Sequence, residues 1–353
     1  EDDPDNTAAR KGLAETLYGR GRPDLAMEQI ENAGPSEELD ALAARISASK
    51  RPRAGAAYRF QKNSSDGEYQ SVDLTGTIPL GYRTVVVPGY LWGVLTRQDL
   101  PDIRRDRFRV SLEHRFNETF QLTAAPGVEL NRFDPMVVPP AAEPVEDFDL
   151  FVWDVYVTVT PRDWLRLDAG SSRVTMPIPV PVYRRIDVTT ENIGLDWRIS
   201  HRVATFWATA YSSYSDGNAR FAAAHRGEWS PPVRVPYRYF NEITLIEGVD
   251  YFNFKTEKTN GYFNPSEYLQ PYIGLRFITD AGRRVRLKVE GRFGAEWDSG
   301  VGWASVGSFD ASLRVRVAGE THLVLGAYKS GSRVTSPDGF RAEGAYATLD
   351  LNW

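Results

Sequence analysis

The sequence predicts an all-β transmembrane protein, an antiparallel β-barrel of about 16 strands preceded by a short α-helical segment. Apolar residues occupy every second position through most of residues 51–353, with charged and polar residues between them. No stretch is long enough and apolar enough for a membrane-spanning helix, and the alternation continues to the last residue, Trp353. Such a surface suits lipid on one side and water on the other. In a bilayer only a closed barrel leaves no unpaired strand edge.

Residues 1–50 are predicted to form three short helices. Apolar residues recur at three- and four-residue spacing in the first two, at Leu13, Ala14, Leu17, Leu25, Ala26 and Ile30. Gly19, Gly21 and Pro23 mark the turn between them, and Ser36 precedes an acidic first turn of the third. The pattern resembles a tetratricopeptide repeat. One repeat cannot bury its apolar face alone. We therefore expect residues 1–50 to be the last repeat of an array whose earlier repeats precede Glu1. An isolated helical cap on the barrel is the alternative.

After Lys50 the period changes to two, which divides the chain into a helical domain, 1–50, and a barrel domain, 51–353. The predicted strands are 54–63, 67–79, 81–95, 106–116, 118–131, 148–160, 162–174, 185–199, 202–215, 218–229, 236–256, 267–279, 283–297, 302–317, 320–330 and 339–353.

The connections between these strands alternate in length. Short links are expected at 80–81, 117, 161, 201, 230–232, 280–282 and 319–320, and longer ones at 96–105, 132–147, 175–184, 257–266 and 331–338. Outer-membrane barrels have tight turns on the periplasmic side and long loops outside. An even strand number then places the N-terminal helices and the C-terminus in the periplasm of a Gram-negative bacterium. No signal peptide opens the chain, so we expect an exported protein to have been processed or truncated before Glu1.

Charged residues share one face of the predicted strands. In 283–297, Arg286 and Glu290 alternate with Leu287 and Phe293. A charge at the lipid-facing midplane costs about 2–4 kcal/mol, so the charged face must meet water. A barrel of this size leaves an aqueous channel. The residues expected to line the lumen and the substrate path are Tyr272, Arg276, Arg284, Arg286, Glu290, Arg292, Asp310, Arg314 and Tyr346. For each, the alternative is that it only braces the wall.

Several function classes are disfavoured by composition. A net charge of −5 argues against a nucleic-acid partner, and the chain has no cysteine. Its four histidines, at 114, 201, 225 and 322, are far apart, and no G-x-S-x-G motif occurs. We therefore expect no enzymatic activity, no cofactor and no metal. The Pro-rich acidic stretch 132–147 is expected to form an external loop that covers the barrel mouth.

Residues 261–268 read Gly-Tyr-Phe-Asn-Pro-Ser-Glu-Tyr. This segment resembles the Gly-Tyr-Phe-Ser-Pro-x-x-Tyr motif of exopolysaccharide export porins, namely the outer-membrane component of bacterial cellulose synthase and its poly-N-acetylglucosamine counterpart. The matching residues are Gly261, Tyr262, Phe263, Pro265 and Tyr268, with Asn264 where serine is usual. The resemblance implies periplasmic tetratricopeptide repeats and a barrel that exports a secreted polysaccharide made by an inner-membrane glycan synthase. Its implied partners are that synthase, periplasmic proteins bound by the repeats, outer-membrane lipid and the polysaccharide cargo.

Three other functions stay open at this point. A general or substrate-selective diffusion porin would share the barrel, although porins usually carry a long constriction loop folded inside it. A repeat-plus-barrel translocator of surface lipoproteins would explain the helices. A barrel enzyme that acts on lipid would need a nucleophile and a base, which the sequence does not reveal. We expect one monomeric barrel per secretion unit.

Overall fold

The chain forms a closed barrel of sixteen antiparallel strands, seen in a computed structural model. Each strand pairs with the next one along the chain, and β1 pairs with β16 to close the ring. The structure describes residues 7–19, 22–33, 37–48, 51–63, 67–134, 146–232, 242–281, 284–319, 321–331 and 342–352. The predicted number and order of strands are confirmed.

The strands are β1 (Arg53–Asn63), β2 (Glu68–Pro79), β3 (Thr84–Thr96), β4 (Ile103–Arg115), β5 (Phe120–Phe133), β6 (Phe148–Arg162), β7 (Leu165–Thr175), β8 (Asp187–Arg198), β9 (Val203–Tyr214), β10 (Ala219–Trp229), β11 (Glu242–Phe254), β12 (Tyr268–Ala281), β13 (Val285–Asp298), β14 (Gly302–Ala318), β15 (Thr321–Ser330) and β16 (Ala342–Asn352). The helices are α1 (Thr7–Gly19), α2 (Pro23–Glu31), α3 (Glu37–Ala48) and α4 (Pro179–Tyr183).

Most predicted strand ends lie within three residues of the observed ends. Two places need a separate account. Pro161 was predicted as a turn, but β6 continues to Arg162 and its pairing with β7 shifts register after Val159. Proline lacks an N–H group, and a strand tolerates it at such an irregularity near its end. The predicted strand 236–256 begins at Glu242 in the structure, and residues 236–241 lie outside the described ranges.

Side chains alternate between an apolar outer face and a polar inner face. On β4, Phe108, Val110 and Leu112 are about half exposed, as expected of residues that face lipid. On the opposite face of the neighbouring strand, Glu129 is fully buried. The antiparallel register repeats this alternation from strand to strand, because side chains of directly opposed residues point to the same face.

The first three helices lie at the barrel end that also carries the end of β16, which we call the terminal end. Their apolar core includes Ala14, Ala26 and Leu39, and Tyr82 of the β2–β3 turn packs against it. Two ion pairs join this bundle to the rim: Arg22 to Glu118 at 2.7 Å and Asp24 to Arg83 at 2.9 Å.

The predicted helical segment is therefore present as three short helices, whereas the predicted helix cap at Ser36 lies outside the described residues. Nothing among the described residues indicates a repeat array, so the tetratricopeptide assignment stays a prediction. In the described part of the chain, no helix has the length and apolar character needed to cross a bilayer.

Candidate functional site

The inner wall of β10–β14 carries a network of opposite charges centred on Glu290. Its carboxylate accepts hydrogen bonds from Arg276 Nε at 2.9 Å and from Arg292 Nη2 at 2.7 Å. Arg276 also donates two hydrogen bonds to Glu228, at 2.8 and 3.0 Å. Lys288 lies 3.8 Å from Glu290 and continues the network to β14. We call this group the inner acid–base network. Because its carboxylates and guanidinium groups satisfy one another, it stiffens the wall.

A second charged group lies on β4 and β5. Arg105 Nη2 donates to Glu129 at 2.7 Å and to the Thr175 carbonyl at 3.2 Å, and Arg107 Nε donates to the same carboxylate at 2.8 Å. Arg105 is 2 % exposed and Glu129 is 0 % exposed. Arg105 therefore links the barrel wall to the chain that leaves β7.

Tyrosines on the inner face lie flat over glycines of the adjacent strand. A Cβ atom at Gly326 would stand 2.1 Å from Tyr346 Cζ, and one at Gly248 would stand 2.4 Å from Tyr272 Cζ. The same arrangement holds for Tyr156 over Gly170, Tyr328 over Gly344 and Tyr69 over Gly93. Each glycine leaves room for a ring along the wall, so the ring presents a face instead of an edge to the lumen.

Residues 176–186, between β7 and β8, run across the barrel interior; we call them the bore-crossing segment. Ile178 and Ile186 pack with Phe252 and other inward aromatic residues of β9, β11 and β12. Val182 of α4 packs with Leu95 and Ile103 of β3 and β4. These two groups of strands face each other across a ring of sixteen. The segment therefore contacts opposite walls at the barrel end away from the helices, the loop end.

The motif loop, residues 255–267, packs beside this segment. Gly261 has a φ of +81°, and a Cβ there would lie 2.3 Å from Val180. Tyr262 stacks on Tyr214 with ring centroids 5.1 Å apart, and Tyr268 stacks on Phe252 at 4.6 Å. Tyr268 also donates a hydrogen bond to Glu296 at 2.8 Å.

Two further motif residues complete this packing. Phe263 meets Phe252 edge-to-face at 6.1 Å, and the Pro265 carbonyl accepts from Phe254 N at 3.3 Å. The motif therefore shapes the loop against the bore-crossing segment, which the sequence did not indicate.

Asp216, in the β9–β10 turn, fixes the motif loop. Its carboxylate accepts hydrogen bonds from Tyr262 Oη at 2.9 Å and from Asn260 Nδ2 at 2.5 Å. Burial works to raise the pKa of Asp216, but these hydrogen bonds and the Asn218 backbone hold it below the ordinary value. Burial likewise raises the pKa of the Tyr262 phenol. The carboxylate is therefore a charged anchor and the phenol a neutral donor.

A cavity of about 690 Å³ lies against the inner wall of β1–β4, β15 and β16 and reaches the start of the bore-crossing segment at Pro177. We call it the basic cavity, because its lining includes Arg59, Arg105 and Arg107 together with Tyr69, Tyr328 and Tyr346. Tyr328 Oη donates to Gln61 at 3.0 Å and closes one side of it.

The predicted lumen residues fall into separate places. Tyr272, Arg276, Glu290 and Arg292 meet in or beside the inner acid–base network, with the Arg292 guanidinium 5.1 Å from the Tyr272 ring centre. Asp310 joins it through Lys288 at 3.8 Å.

Tyr346 lines the basic cavity on another part of the wall. Arg286 pairs in register with exposed Arg314 and lies 3.7 Å from Asp280 near the terminal end. Arg284 is exposed just before β13.

Sequence reasoning missed the bore-crossing segment and the basic cavity. The first had a signal: residues 176–182 read Met-Pro-Ile-Pro-Val-Pro-Val, an apolar run that a solvated loop would not carry. The second had none, because its residues come from strands at both ends of the chain. Of the predicted cover 132–147, residues 135–145 lie outside the described ranges. Among described residues, no three His, Asp or Glu side chains are arranged to hold a metal ion.

No protein-family model matches the chain, and no curated protein matches its sequence. Among solved structures, it is similar to one described as a bacterial polysaccharide outer membrane secretin, at a TM-score of 0.64 and 14% identity, over 86% of this chain and 99% of that chain. It is also similar to CdiB from Acinetobacter baumannii, at a TM-score of 0.53 and 9% identity, over 85% of this chain and 60% of that chain. At these identities the likeness shows the fold alone, which is that of outer-membrane β-barrels.

Proposed function

We propose that this protein is an outer-membrane channel that exports a secreted polysaccharide from the periplasm to the cell surface. The observation that carries the proposal is the inner wall, where paired charges alternate with tyrosine rings that lie flat over glycines. A sugar has polar hydroxyl groups around its edge and C–H groups on its faces. A wall of rings and hydrogen-bonding groups offers such a chain many weak contacts, which suits conduction because conduction requires release as well as binding.

The comparison with known structures supports this proposal at the level of the fold. The barrel described as a polysaccharide outer membrane secretin is matched over nearly its whole length. The likeness is consistent with a wide channel, while the chemistry of this chain's own wall suggests the cargo.

The orientation in the membrane belongs to the same proposal. The terminal end, with α1–α3, would face the periplasm, where the helices form the end of a tetratricopeptide-like array. Such an array would guide the polymer from an inner-membrane glycan synthase or bind periplasmic proteins. Ion pairs between α2, its flanking residue Arg22 and the barrel rim hold the helices beside the opening.

Deletion of the gene tests the proposal directly. Polysaccharide should accumulate in the periplasm and disappear from the medium, and the gene supplied in trans should restore secretion. A variant with Tyr272, Tyr328 and Tyr346 each replaced by leucine should fold and insert but export less polymer. Normal extracellular polysaccharide in the deletion strain would refute export.

A substrate-selective diffusion porin is the second candidate. The observation in its favour is the bore-crossing segment, since a segment folded into the barrel is a feature of such porins. The two functions differ in direction and cargo size. Uptake of labelled monosaccharides by vesicles that contain the protein, without release of trapped oligosaccharides, would favour the porin.

A further inference from the structure

The basic cavity has properties that bear on the identity of the cargo, provided that the proposed export function holds. Its volume of about 690 Å³ lies within the range of about 300–1,000 Å³ that is typical of small-molecule sites. A site of this size accepts a short run of sugar units. It opens on the lumen, so a polymer in transit would pass it.

The cavity carries an excess of positive charge. Three arginines line it, and no carboxylate stands among its described lining residues. Arg105 and Arg107 share one buried carboxylate, Glu129. Three guanidinium groups against one carboxylate leave two positive charges. Within the described part of the chain, Arg59 has no ion pair, although its side chain is exposed to the lumen.

The charge and a stacking surface are adjacent. Arg59 on β1 is directly opposite Tyr346 on β16 in the antiparallel register. Side chains at such positions begin about 4.5–5.5 Å apart, so one sugar unit can reach both. Tyr346 lies flat over Gly326 and presents a ring face. Across the cavity from Arg59 and Tyr346, the buried Nε of Arg105 has no hydrogen-bond partner among the described residues. It is a second unsatisfied donor in the lining.

From this geometry we infer that the basic cavity is a subsite for an acidic sugar unit, and hence that the exported polymer carries carboxylates. Guanidinium groups bind carboxylates through paired, charge-assisted hydrogen bonds. Arg59 takes the carboxylate and Tyr346 stacks on the sugar ring. A neutral glycan leaves Arg59 without a counter-charge, and a cationic glycan is repelled.

Calorimetry on the full chain in detergent tests the subsite. A galacturonic acid tetramer should bind at least about tenfold more tightly than a glucose tetramer of the same length, and the difference should shrink in 0.5 M salt. Arg59→Gln should weaken acidic-tetramer binding about tenfold. Arg53→Gln is the matched control, because Arg53 is an exposed arginine on the same strand but at the terminal end. This variant should bind the acidic tetramer as tightly as the native chain does.

Three outcomes would contradict the proposed subsite. Equal affinity for both tetramers, tighter binding of a glucosamine tetramer, or an equal loss in the Arg59 and Arg53 variants would overturn the acidic subsite. Release of trapped oligosaccharides from vesicles is measured separately. If vesicles release oligosaccharides while the acidic preference is absent, only the subsite fails. If they stay sealed to all of them, the export function fails as well.

Discussion

At the scale of single residues, Glu290 is the side chain on which the inner acid–base network depends. It is 6 % exposed and accepts hydrogen bonds from Arg226, Arg276 and Arg292. Replacing it removes a charge and leaves those arginines partly unpaired. Removal of one partner of a buried pair costs more than the pair itself contributes, since the remaining charge stays desolvated.

Glu290→Gln should therefore lower the free energy of unfolding by about 3–5 kcal/mol. Asp310→Asn is the matched control, because Asp310 belongs to the same network but is 39% exposed and lies 3.8 Å from Lys288. Its loss should cost less than about 1 kcal/mol. Urea unfolding of both variants in lipid vesicles measures the difference, and equal losses would contradict the central position of Glu290.

Position 261 favours glycine for two reasons, its backbone conformation and the lack of space for a side chain. Its φ of +81° disfavours side chains, and the space where a Cβ would lie is occupied by Val180. Gly217 provides a comparison within the same part of the barrel. It has a φ of +82°, but its nearest neighbour is Lys258 Nζ at 3.9 Å.

Gly217→Ala should destabilise the protein by about 1–2 kcal/mol, the cost of the left-handed conformation alone. Gly261→Ala should cost clearly more, because the methyl group also displaces the bore-crossing segment. Adding Val180→Ala should recover part of that excess. Urea unfolding measures all three. If the two glycine variants were equally stable, the contact between the loop and the segment would not contribute.

At the scale of elements, the structure joins connections that are distant in the sequence. The β9–β10 turn holds the motif loop through Asp216, and the motif loop packs against the segment after β7. The strands fix where each connection starts, while hydrogen bonds between connections fix where each one goes. The Asp216 carboxylate makes this arrangement depend on pH.

The pKa of Asp216 lies below its ordinary value of 3.8 in the folded protein. A depressed pKa means that the carboxylate stabilises the fold fully above pH 3.8, and that this contribution is lost as pH falls through the lower folded value. Asp216→Asn should thus reduce stability at pH 7 by about 1 kcal/mol. The difference in the free energy of unfolding between the native chain and this variant should narrow as the pH falls below 3.8 and vanish once the pH is below the folded pKa of Asp216.

Urea unfolding at several pH values checks this expectation. Asp99→Asn is the control, because Asp99 is 61% exposed in the β3–β4 connection. Its replacement should change the free energy of unfolding at pH 7 by less than about 1 kcal/mol, since it removes only an exposed ion pair. A difference in the free energy of unfolding between the native chain and Asp216→Asn that does not narrow at all as the pH falls below 3.8 would mean that the charge of Asp216 is not what stabilises the loop.

At the scale of the whole molecule, conduction depends on what occupies the bore. The sequence predicts that 132–147 covers the mouth, and most of that stretch lies outside the described residues. The structure places residues 176–186 across the interior. Replacing 179–183 with glycine and serine should raise single-channel conductance severalfold, because it removes α4 from between opposite walls. If 132–147 cover the mouth as the sequence predicts, deletion of 135–145 should raise the conductance as well. Planar-bilayer recordings measure both, and unchanged conductance in the first variant would show that the segment does not limit flow.

The number and order of the strands could be read from the amino-acid sequence without the fold. Those properties follow from a period of two, which is local and needs no partner to be visible. The sequence also indicated the three N-terminal helices, through spacing of the same local kind.

Which residues meet became visible only in the folded barrel. Arg105 contacts Thr175 seventy positions away, and Arg59 stands opposite Tyr346 because the first and last strands pair. The apolar run at 176–182 was visible in the sequence, but its destination was not. The segment folds into the barrel because it packs against inward aromatic residues of distant strands. Those strands come close to it only when the barrel closes.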